Sequence, residues 1–164
     1  MIPVISVVGR SNSGKTTYLE KLIAELKRRG YRLAVIKHHH TDNVELDHPG
    51  KDTWRHAQAG ADIVCLASPN KFAMMRKSDQ ELSLDRVISY IDNVDIIFTE
   101  GYKQEAKSKI EVYRQAAGHL PLGNKPELLA VVSDTVLYQD VSHFALDDPS
   151  AMADFLEKNV LKMK

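Results

Sequence analysis

The chain has 164 residues, 22 basic and 22 acidic side chains, and 43% hydrophobic residues. This composition is typical of a globular protein with a sizeable core, and its balanced charge, without a basic run, argues against a nucleic-acid-binding surface. Apolar runs of about six residues are far shorter than the ~20 residues that span a membrane. No secretory signal is recognisable, and the single Cys65 permits no internal disulfide. We therefore expect a cytoplasmic protein with neither nucleic acid nor membrane as a partner.

The first quarter of the chain has the pattern of a strand, a helix and a second strand. Residues 2–8 are rich in Val and Ile, as in a strand buried on both faces. Apolar residues at helical spacing predict a helix from Lys15 to about Arg29, which Gly30 ends. The run at 32–37 predicts the second strand, and the three elements together have the size of a βαβ unit.

The remaining elements continue this alternation. Residues 52–59 predict a short helix, and apolar runs on either side of Pro69 predict an antiparallel hairpin in which Cys65 is buried. The later elements are a helix over 83–92, strands over 95–100, 109–114 and 128–134, and a last helix capped by Asp148. The pattern indicates one α/β domain over residues 1–164, with a mixed, mostly parallel sheet flanked by helices on both faces.

The stretch GRSNSGKTT follows the first predicted strand and opens the first helix. Gly9, Gly14, Lys15 and Thr16 have the spacing of a phosphate-binding P-loop. The glycines let backbone N–H groups approach a phosphate closely, and the N-terminus of the helix adds the positive end of its dipole. Lys15 would reach the β- and γ-phosphates, and the Thr16 hydroxyl would bind Mg²⁺. The stretch therefore predicts a P-loop NTPase fold that binds a nucleoside triphosphate.

Polar residues also follow three other predicted strands, whose carboxyl ends would meet the P-loop at one edge of the sheet. Glu100 ends the strand over 95–100, where a carboxylate would bind Mg²⁺ directly or through water. Asp134 could accept two hydrogen bonds from guanine, which would select GTP over ATP; an ordinary turn aspartate is the alternative. The histidine run at 38–40 follows the second strand.

The segment after the second strand is rich in histidine and charge. Five of the seven histidines lie within residues 38–56, but no cysteine or fixed zinc spacing accompanies them. This favours a polar loop, or a role near the phosphates, over a dedicated metal site. Asp52 could join the Mg²⁺ shell or cap the short helix, and Asp95, at the start of its strand, is predicted to be structural.

Together these segments resemble the molybdopterin-guanine dinucleotide biosynthesis protein B (MobB) family. The resemblance rests on GRSNSGKTT, VIKHHH, HPGKDTWRHAQAGAD, DIIFTEGYK, KIEVYR and AVVSD, in this order along nearly the whole chain. It implies a homodimeric GTP-binding P-loop protein with slow GTPase activity. It also implies an accessory or adapter role beside a MobA-like molybdopterin guanylyltransferase in molybdenum-cofactor assembly.

The resemblance and the motifs together define a predicted site. The predicted nucleotide contacts are Gly9, Asn12, Ser13, Gly14, Lys15, Thr16, Thr17 and Asp134. Thr16 and Glu100 are the predicted Mg²⁺ ligands, and Lys15, Glu100 and Asp52 are the residues predicted to act on the phosphates.

Three other functions remain open from the sequence. One is a metal-delivery GTPase that uses the histidine-rich loop. Another is a small-molecule kinase on the same fold, although residues 115–127 lack the arginines of a typical kinase lid. A third is a protein-binding module with a vestigial P-loop.

Arg10, inside the P-loop, is only a weak candidate for an arginine that stabilises charge during hydrolysis.

Overall fold

The computed structural model describes residues 1–39, 41, 44, 46–123 and 126–161. The strands are β1 (Val4–Val8), β2 (Leu33–Lys37), β3 (Ile63–Ser68), β4 (Lys71–Arg76), β5 (Ile96–Glu100), β6 (Ser108–Tyr113), β7 (Leu128–Ser133) and β8 (Ser142–Phe144). The helices are α1 (Lys15–Arg28), α2 (Asp52–Gln58), α3 (Leu84–Ile88) and α4 (Pro149–Asn159), with a 3₁₀ turn at Gln115–Ala117. No helix in these ranges is long and apolar enough to cross a membrane.

Six strands form one sheet in the order β2-β5-β1-β6-β7-β8, and all of its neighbouring strands run parallel. The predicted α/β class and largely parallel sheet are therefore confirmed. The predicted hairpin also forms, but β3 and β4 pair antiparallel in a separate two-stranded sheet. The antiparallel pairing expected within the main sheet is thus found outside it.

The described chain divides by packing into two compact units. One comprises Met1–His38 with Ile88–Lys164, and the other comprises His39–Val87. The first contains the six-stranded sheet, α1 and α4, whereas the second contains α2 and the hairpin. The expectation that residues 1–164 act as one GTP-binding domain stays a prediction.

The core of the first unit lies between the sheet and the pair α1 and α4. Alternate residues of the central strands face these helices because side chains along a strand alternate between its two faces. The fully buried members of this face and of the helices are Ile5, Val7, Ile96, Phe98, Ile110, Val112, Ala130, Val132, Leu22, Leu26, Met152 and Leu156. Burial of each large apolar side chain stabilises the fold by about 1.5–3 kcal/mol. The predicted apolar face of α1 is confirmed.

Two local predictions differ from the structure, and one strand was missed. The helix expected over 83–92 ends at Ile88, because the Ile91 N–H donates to the Ile88 carbonyl and closes a tighter turn. Strand β8 was not predicted. Cys65 was predicted to be buried and is exposed, because β3 belongs to a two-stranded sheet in which it buries only Val64. At the last helix, the predicted cap is confirmed, since Asp148 Oδ1 accepts from Ala151 N at 3.0 Å.

Candidate functional site

The P-loop joins β1 to α1 through residues held in left-handed backbone conformations. Gly9 and Gly14 have φ angles of 152° and 89°, and Asn12 has a φ of 60°. A Cβ atom on Gly9 would clash with the carbonyl oxygen of Val112 on the neighbouring strand. Only glycine therefore lets the loop leave β1 so close to β6, and this places the loop directly at the N-terminus of α1.

Thr16 and Glu100 meet beside this loop. Strand β5 pairs in parallel with β1, with Glu100 opposite Val7, so the carboxyl ends of the two strands lie side by side. The Thr16 hydroxyl donates to Glu100 Oε1 at 3.0 Å. A hydroxyl and a carboxylate at this distance are oxygen donors of the kind that Mg²⁺ prefers.

Lys15 folds back over the P-loop. Its Nζ donates to the Arg10 carbonyl oxygen at 2.7 Å. Burial lowers the pKa of Lys15 below its ordinary value; Glu100 opposes this effect, while Lys103 and Lys37 reinforce it. The ammonium thus lies in a partly desolvated, cation-rich setting that an anion would relieve.

Of the other predicted loop contacts, Asn12 and Thr17 are exposed, whereas Ser13 is buried. Ser13 is only 2% exposed, and its hydroxyl has no hydrogen-bond partner within the described ranges. This hydroxyl therefore has unused hydrogen-bonding capacity inside the loop. That is unusual, because buried hydroxyls in proteins are nearly always paired.

Asp134 follows β7 at the same sheet edge and is exposed. Its Oδ1 accepts a hydrogen bond of 2.9 Å from the backbone N–H of Gln115. One carboxylate oxygen therefore already stabilises the turn after β6. Next to it, Ser133 Oγ and the Thr135 carbonyl both contact His143 Nε2, at 2.7 Å each, which ties β8 to the loop after β7.

The histidine run at 38–40 follows β2, and its first two residues belong to different units. The His38 N–H donates to the Glu100 carbonyl at 2.8 Å, and its ring lies 4.8 Å from that of Tyr102. His39 belongs to the other unit, where its Nδ1 contacts Thr41 Oγ1 at 2.8 Å. His40 lies outside the described residues. Within the described ranges, no group of three His, Cys, Asp or Glu side chains could hold a metal ion together.

Asp52 is not brought to this site by any described contact. It is the first residue of α2, in the second unit, and its side chain is 88% exposed and 3.6 Å from Arg55 Nη1. The N-cap position is Lys51, so Asp52 does not cap the helix from outside. Its predicted place in the Mg²⁺ shell stays a prediction. Asp95, by contrast, accepts from the Arg32 N–H at 2.7 Å, in keeping with the structural role predicted for it.

Sequence reasoning overlooked Arg114. It follows β6, the strand that neighbours β1 on the side away from β5, and its guanidinium lies beside Gly14. The sequence signal was partial: Arg114 ends the strand predicted over 109–114, but no local pattern shows that this strand lies next to β1.

The comparisons with known proteins identify the family. The family model described as Molybdopterin guanine dinucleotide synthesis protein B matches residues 4–134. The chain belongs to this family. It is 39% identical over 162 residues to the molybdopterin-guanine dinucleotide biosynthesis adapter protein of Escherichia coli (strain K12), covering 95% of this chain and 92% of that protein. The adapter protein of Haemophilus influenzae (strain Rd) is 40% identical over 159 residues, 95% of this chain and 88% of that protein.

Solved structures of the MobB family have the same fold. The crystal structure of Bacillus subtilis MobB matches with a TM-score of 0.75 and 26% identity, covering 99% of this chain and all of that one. A second structure, titled as molybdopterin-guanine biosynthesis protein B, matches with a TM-score of 0.71 and 30% identity over 94% of this chain and 98% of that chain. The P-loop NTPase-like α/β fold predicted for the chain is therefore confirmed.

Proposed function

We propose that this protein binds GTP with Mg²⁺, hydrolyses it slowly, and acts as an adapter in the synthesis of molybdopterin guanine dinucleotide. The single observation that carries the nucleotide part is the contact between Thr16 and Glu100 at 3.0 Å. It joins the P-loop hydroxyl to a carboxylate on the neighbouring strand, which is the donor set for an Mg²⁺-bound triphosphate. The adapter part is supported by family membership and by the names of the curated relatives.

Each P-loop residue has a defined role in this proposal. The backbone N–H groups from Gly9 to Thr17 and the Lys15 ammonium bind the phosphates, and their charges offset those of the triphosphate. Thr16 and Glu100 hold Mg²⁺, which neutralises further phosphate charge when bound. Asp134 reads guanine with the part of its carboxylate that Gln115 leaves available. Asp52 remains a proposed member of the Mg²⁺ shell.

We expect slow hydrolysis because the P-loop positions the phosphates and neutralises their charge without further help from a partner. Positioning and charge neutralisation are the main contributions of this kind of site, and unaided GTPases turn over far more slowly than 1 s⁻¹. We place the protein in the cytoplasm as a homodimer whose partner is a MobA-like molybdopterin guanylyltransferase. On this view a partner or a second subunit completes the site.

The test is nucleotide binding by calorimetry, followed by co-purification with the guanylyltransferase. The wild-type protein is expected to bind GTP only with Mg²⁺, whereas the Lys15→Ala protein is expected to lose binding. The amount of guanylyltransferase that is captured on immobilised wild-type protein should increase when GTP is present. Equal binding by the Lys15→Ala protein would favour a vestigial P-loop, and a turnover above roughly 1 s⁻¹ would contradict slow hydrolysis.

A further inference from the structure

The guanidinium of Arg114 lies against the P-loop. A Cβ atom on Gly14 would be 3.3 Å from Arg114 Nη2, 3.8 Å from Cζ and 3.9 Å from Nε. Three atoms of the guanidinium therefore lie within 4 Å of the place that a Cβ atom would take on Gly14, the N-cap of α1. This is the end of the helix at which anions are stabilised.

The backbone of β6 explains how Arg114 reaches this place. Strand β6 pairs in parallel with β1, with Glu111 opposite Val8, so the residues that follow the two strands emerge side by side. The turn after β6 is fixed at both ends. The Ala117 N–H donates to the Arg114 carbonyl at 3.1 Å. The N–H of Gln115, the residue after Arg114, donates to Asp134 Oδ1 at 2.9 Å.

The charge of Arg114 has no partner among the residues that the structure describes. The residue is exposed, and within the described ranges its guanidinium has no hydrogen bond and no ion pair. The P-loop beside it also contains the buried hydroxyl of Ser13, which has no hydrogen-bond partner in the described part of the chain. Guanidinium groups bind phosphates through two N–H groups at once, so this side chain is chemically suited to the anion that the P-loop would hold.

The order of the strands defines which part of the anion Arg114 would meet. Along the sheet edge, Glu100 ends β5, the P-loop follows β1, Arg114 follows β6, and Asp134 follows β7. Glu100 and Asp134 therefore lie on opposite sides of the P-loop. Arg114 follows the strand between those of the P-loop and Asp134, on the side of the P-loop away from Glu100.

We propose that Arg114 is a second cationic ligand of the bound nucleotide and contacts its α- or β-phosphate. This inference rests on the proposed function. It differs from the role of an arginine that acts only on the γ-phosphate during hydrolysis, because GTP and GDP share the two phosphates that Arg114 contacts.

The experiment measures the affinities of GTP and GDP by calorimetry, together with the hydrolysis rate at saturating GTP. The variants are Arg114→Ala, Arg114→Lys and, as a matched control, Arg32→Ala, whose exposed side chain lies just before β2 at the opposite edge of the sheet. Arg114→Ala is expected to weaken GTP and GDP by the same factor, roughly tenfold or more, since it removes a charge-assisted contact. The affinity of the Arg114→Lys protein should lie between those of the wild type and Arg114→Ala, because lysine keeps the charge but not the two parallel N–H groups of the guanidinium. Arg32→Ala should bind like the wild type.

Several results would overturn the inference. Unchanged affinity in Arg114→Ala, or a slower hydrolysis step at unchanged affinity, would remove Arg114 from the α- and β-phosphates. An equal loss in Arg32→Ala would reduce the effect to overall charge. If Lys15→Ala loses binding while Arg114→Ala does not, only this inference fails; if the wild type binds neither nucleotide, the proposed function fails with it. Circular dichroism checks that each variant is folded.

Discussion

The Thr16 hydroxyl, at the start of α1, donates a hydrogen bond of 3.0 Å to the Glu100 carboxylate at the end of β5. These residues are 84 positions apart in the sequence. They meet because β5 pairs with β1, so that a residue at the end of one strand lies beside the helix that follows the other. The contact links the P-loop to a negative charge at the place where we propose that Mg²⁺ binds.

Replacing Glu100 with Gln tests the role of this charge. Glutamine keeps an oxygen that accepts the Thr16 hydroxyl, so the geometry is preserved while the negative charge is lost. We expect the Mg²⁺ concentration for half-maximal GTP hydrolysis to rise roughly 10- to 100-fold, as it does when ligands near a metal are altered. Glu20→Gln, on the exposed side of α1, is the control. An unchanged Mg²⁺ requirement in Glu100→Gln would show that the carboxylate serves only the hydrogen bond.

Replacing Asp134 with Asn tests base recognition. The asparagine oxygen can still accept the N–H of Gln115, which is 2.9 Å from Oδ1 in the wild type, so the turn after β6 should persist. The new amide group would face the donors of guanine and repel them, but it would match the carbonyl of xanthine. We expect weaker GTP binding and stronger xanthosine triphosphate binding. Equal changes for the two nucleotides would mean that Asp134 does not read the base.

Local sequence patterns predicted the parts of this protein that depend on neighbouring residues. The P-loop spacing, the apolar face of α1 and the cap at Asp148 are of this kind, because each depends on residues that are close together in the sequence. The position of Glu100 at the same sheet edge as the P-loop was also predicted, since a parallel sheet collects the carboxyl ends of its strands at one edge.

What the sequence could not predict depends on which strand lies beside which. Arg114 acquires its position only because β6 pairs with β1, and Asp134 acquires its hydrogen bond only because β7 follows next. Strand order is a property of the whole sheet, and no periodicity records it. The exposure of Cys65 is a similar case: an apolar run predicts a strand, but not whether another layer covers it.

Arg29 links the two helices that cover the core of the first unit. Its guanidinium donates to Glu25 on α1 and to Asp154, Glu157 and Ser150 on α4, at 2.6 to 3.1 Å. The side chains of Arg29 and Glu157 are 15% and 27% exposed, so removing Arg29 breaks partly buried contacts between the two helices. We expect Arg29→Ala to lower the free energy of unfolding by on the order of 2 kcal/mol.

Arg28→Ala is the matched control for this variant. Arg28 is 69% exposed, and its ion pair is with Glu25 of the same helix. Exposed pairs within one helix contribute little, so urea unfolding should detect a much smaller change than in Arg29→Ala. Equal effects of the two variants would place the stabilising contribution within α1 rather than between α1 and α4.

The pKa of Lys15 predicts how the loop responds to alkaline pH. Burial lowers this pKa below the ordinary value of 10.5, so between the two values the unfolded chain binds more protons than the folded one. The contribution of Lys15 to the free energy of unfolding therefore rises with pH in that window. A bound polyphosphate favours the charged ammonium and should raise the pKa again.

Nuclear magnetic resonance titration of the Lys15 side chain measures both effects, with a Lys15→Arg sample to assign the signal. We expect a midpoint below 10.5 in the free protein and a higher midpoint with nucleotide bound. A midpoint at or above 10.5 without nucleotide would contradict the desolvated setting. An unchanged midpoint after nucleotide addition would show that Lys15 does not contact the phosphates.

Gly101 allows β5 to end close against the end of β2. Its φ angle is 102°, and a Cβ atom there would lie 2.9 Å from His38 Cβ and 3.0 Å from the His38 carbonyl oxygen. Gly30 has a similar φ of 88°, but nothing lies within 4 Å of its Cβ position. Gly30→Ala therefore introduces backbone strain alone, about 1–2 kcal/mol, whereas Gly101→Ala adds a steric clash with the Cβ atom and the carbonyl oxygen of His38.

Comparing the two alanine variants separates strain from crowding at the site. We expect Gly101→Ala to lower the free energy of unfolding more than Gly30→Ala in urea titrations. It should also weaken GTP binding, because the clash displaces His38, whose N–H donates to the Glu100 carbonyl at 2.8 Å, and so shifts the carboxylate beside Thr16. Gly30→Ala should bind GTP normally. If the two variants are equally stable and both bind GTP normally, then the approach of β2 to Gly101 does not position Glu100.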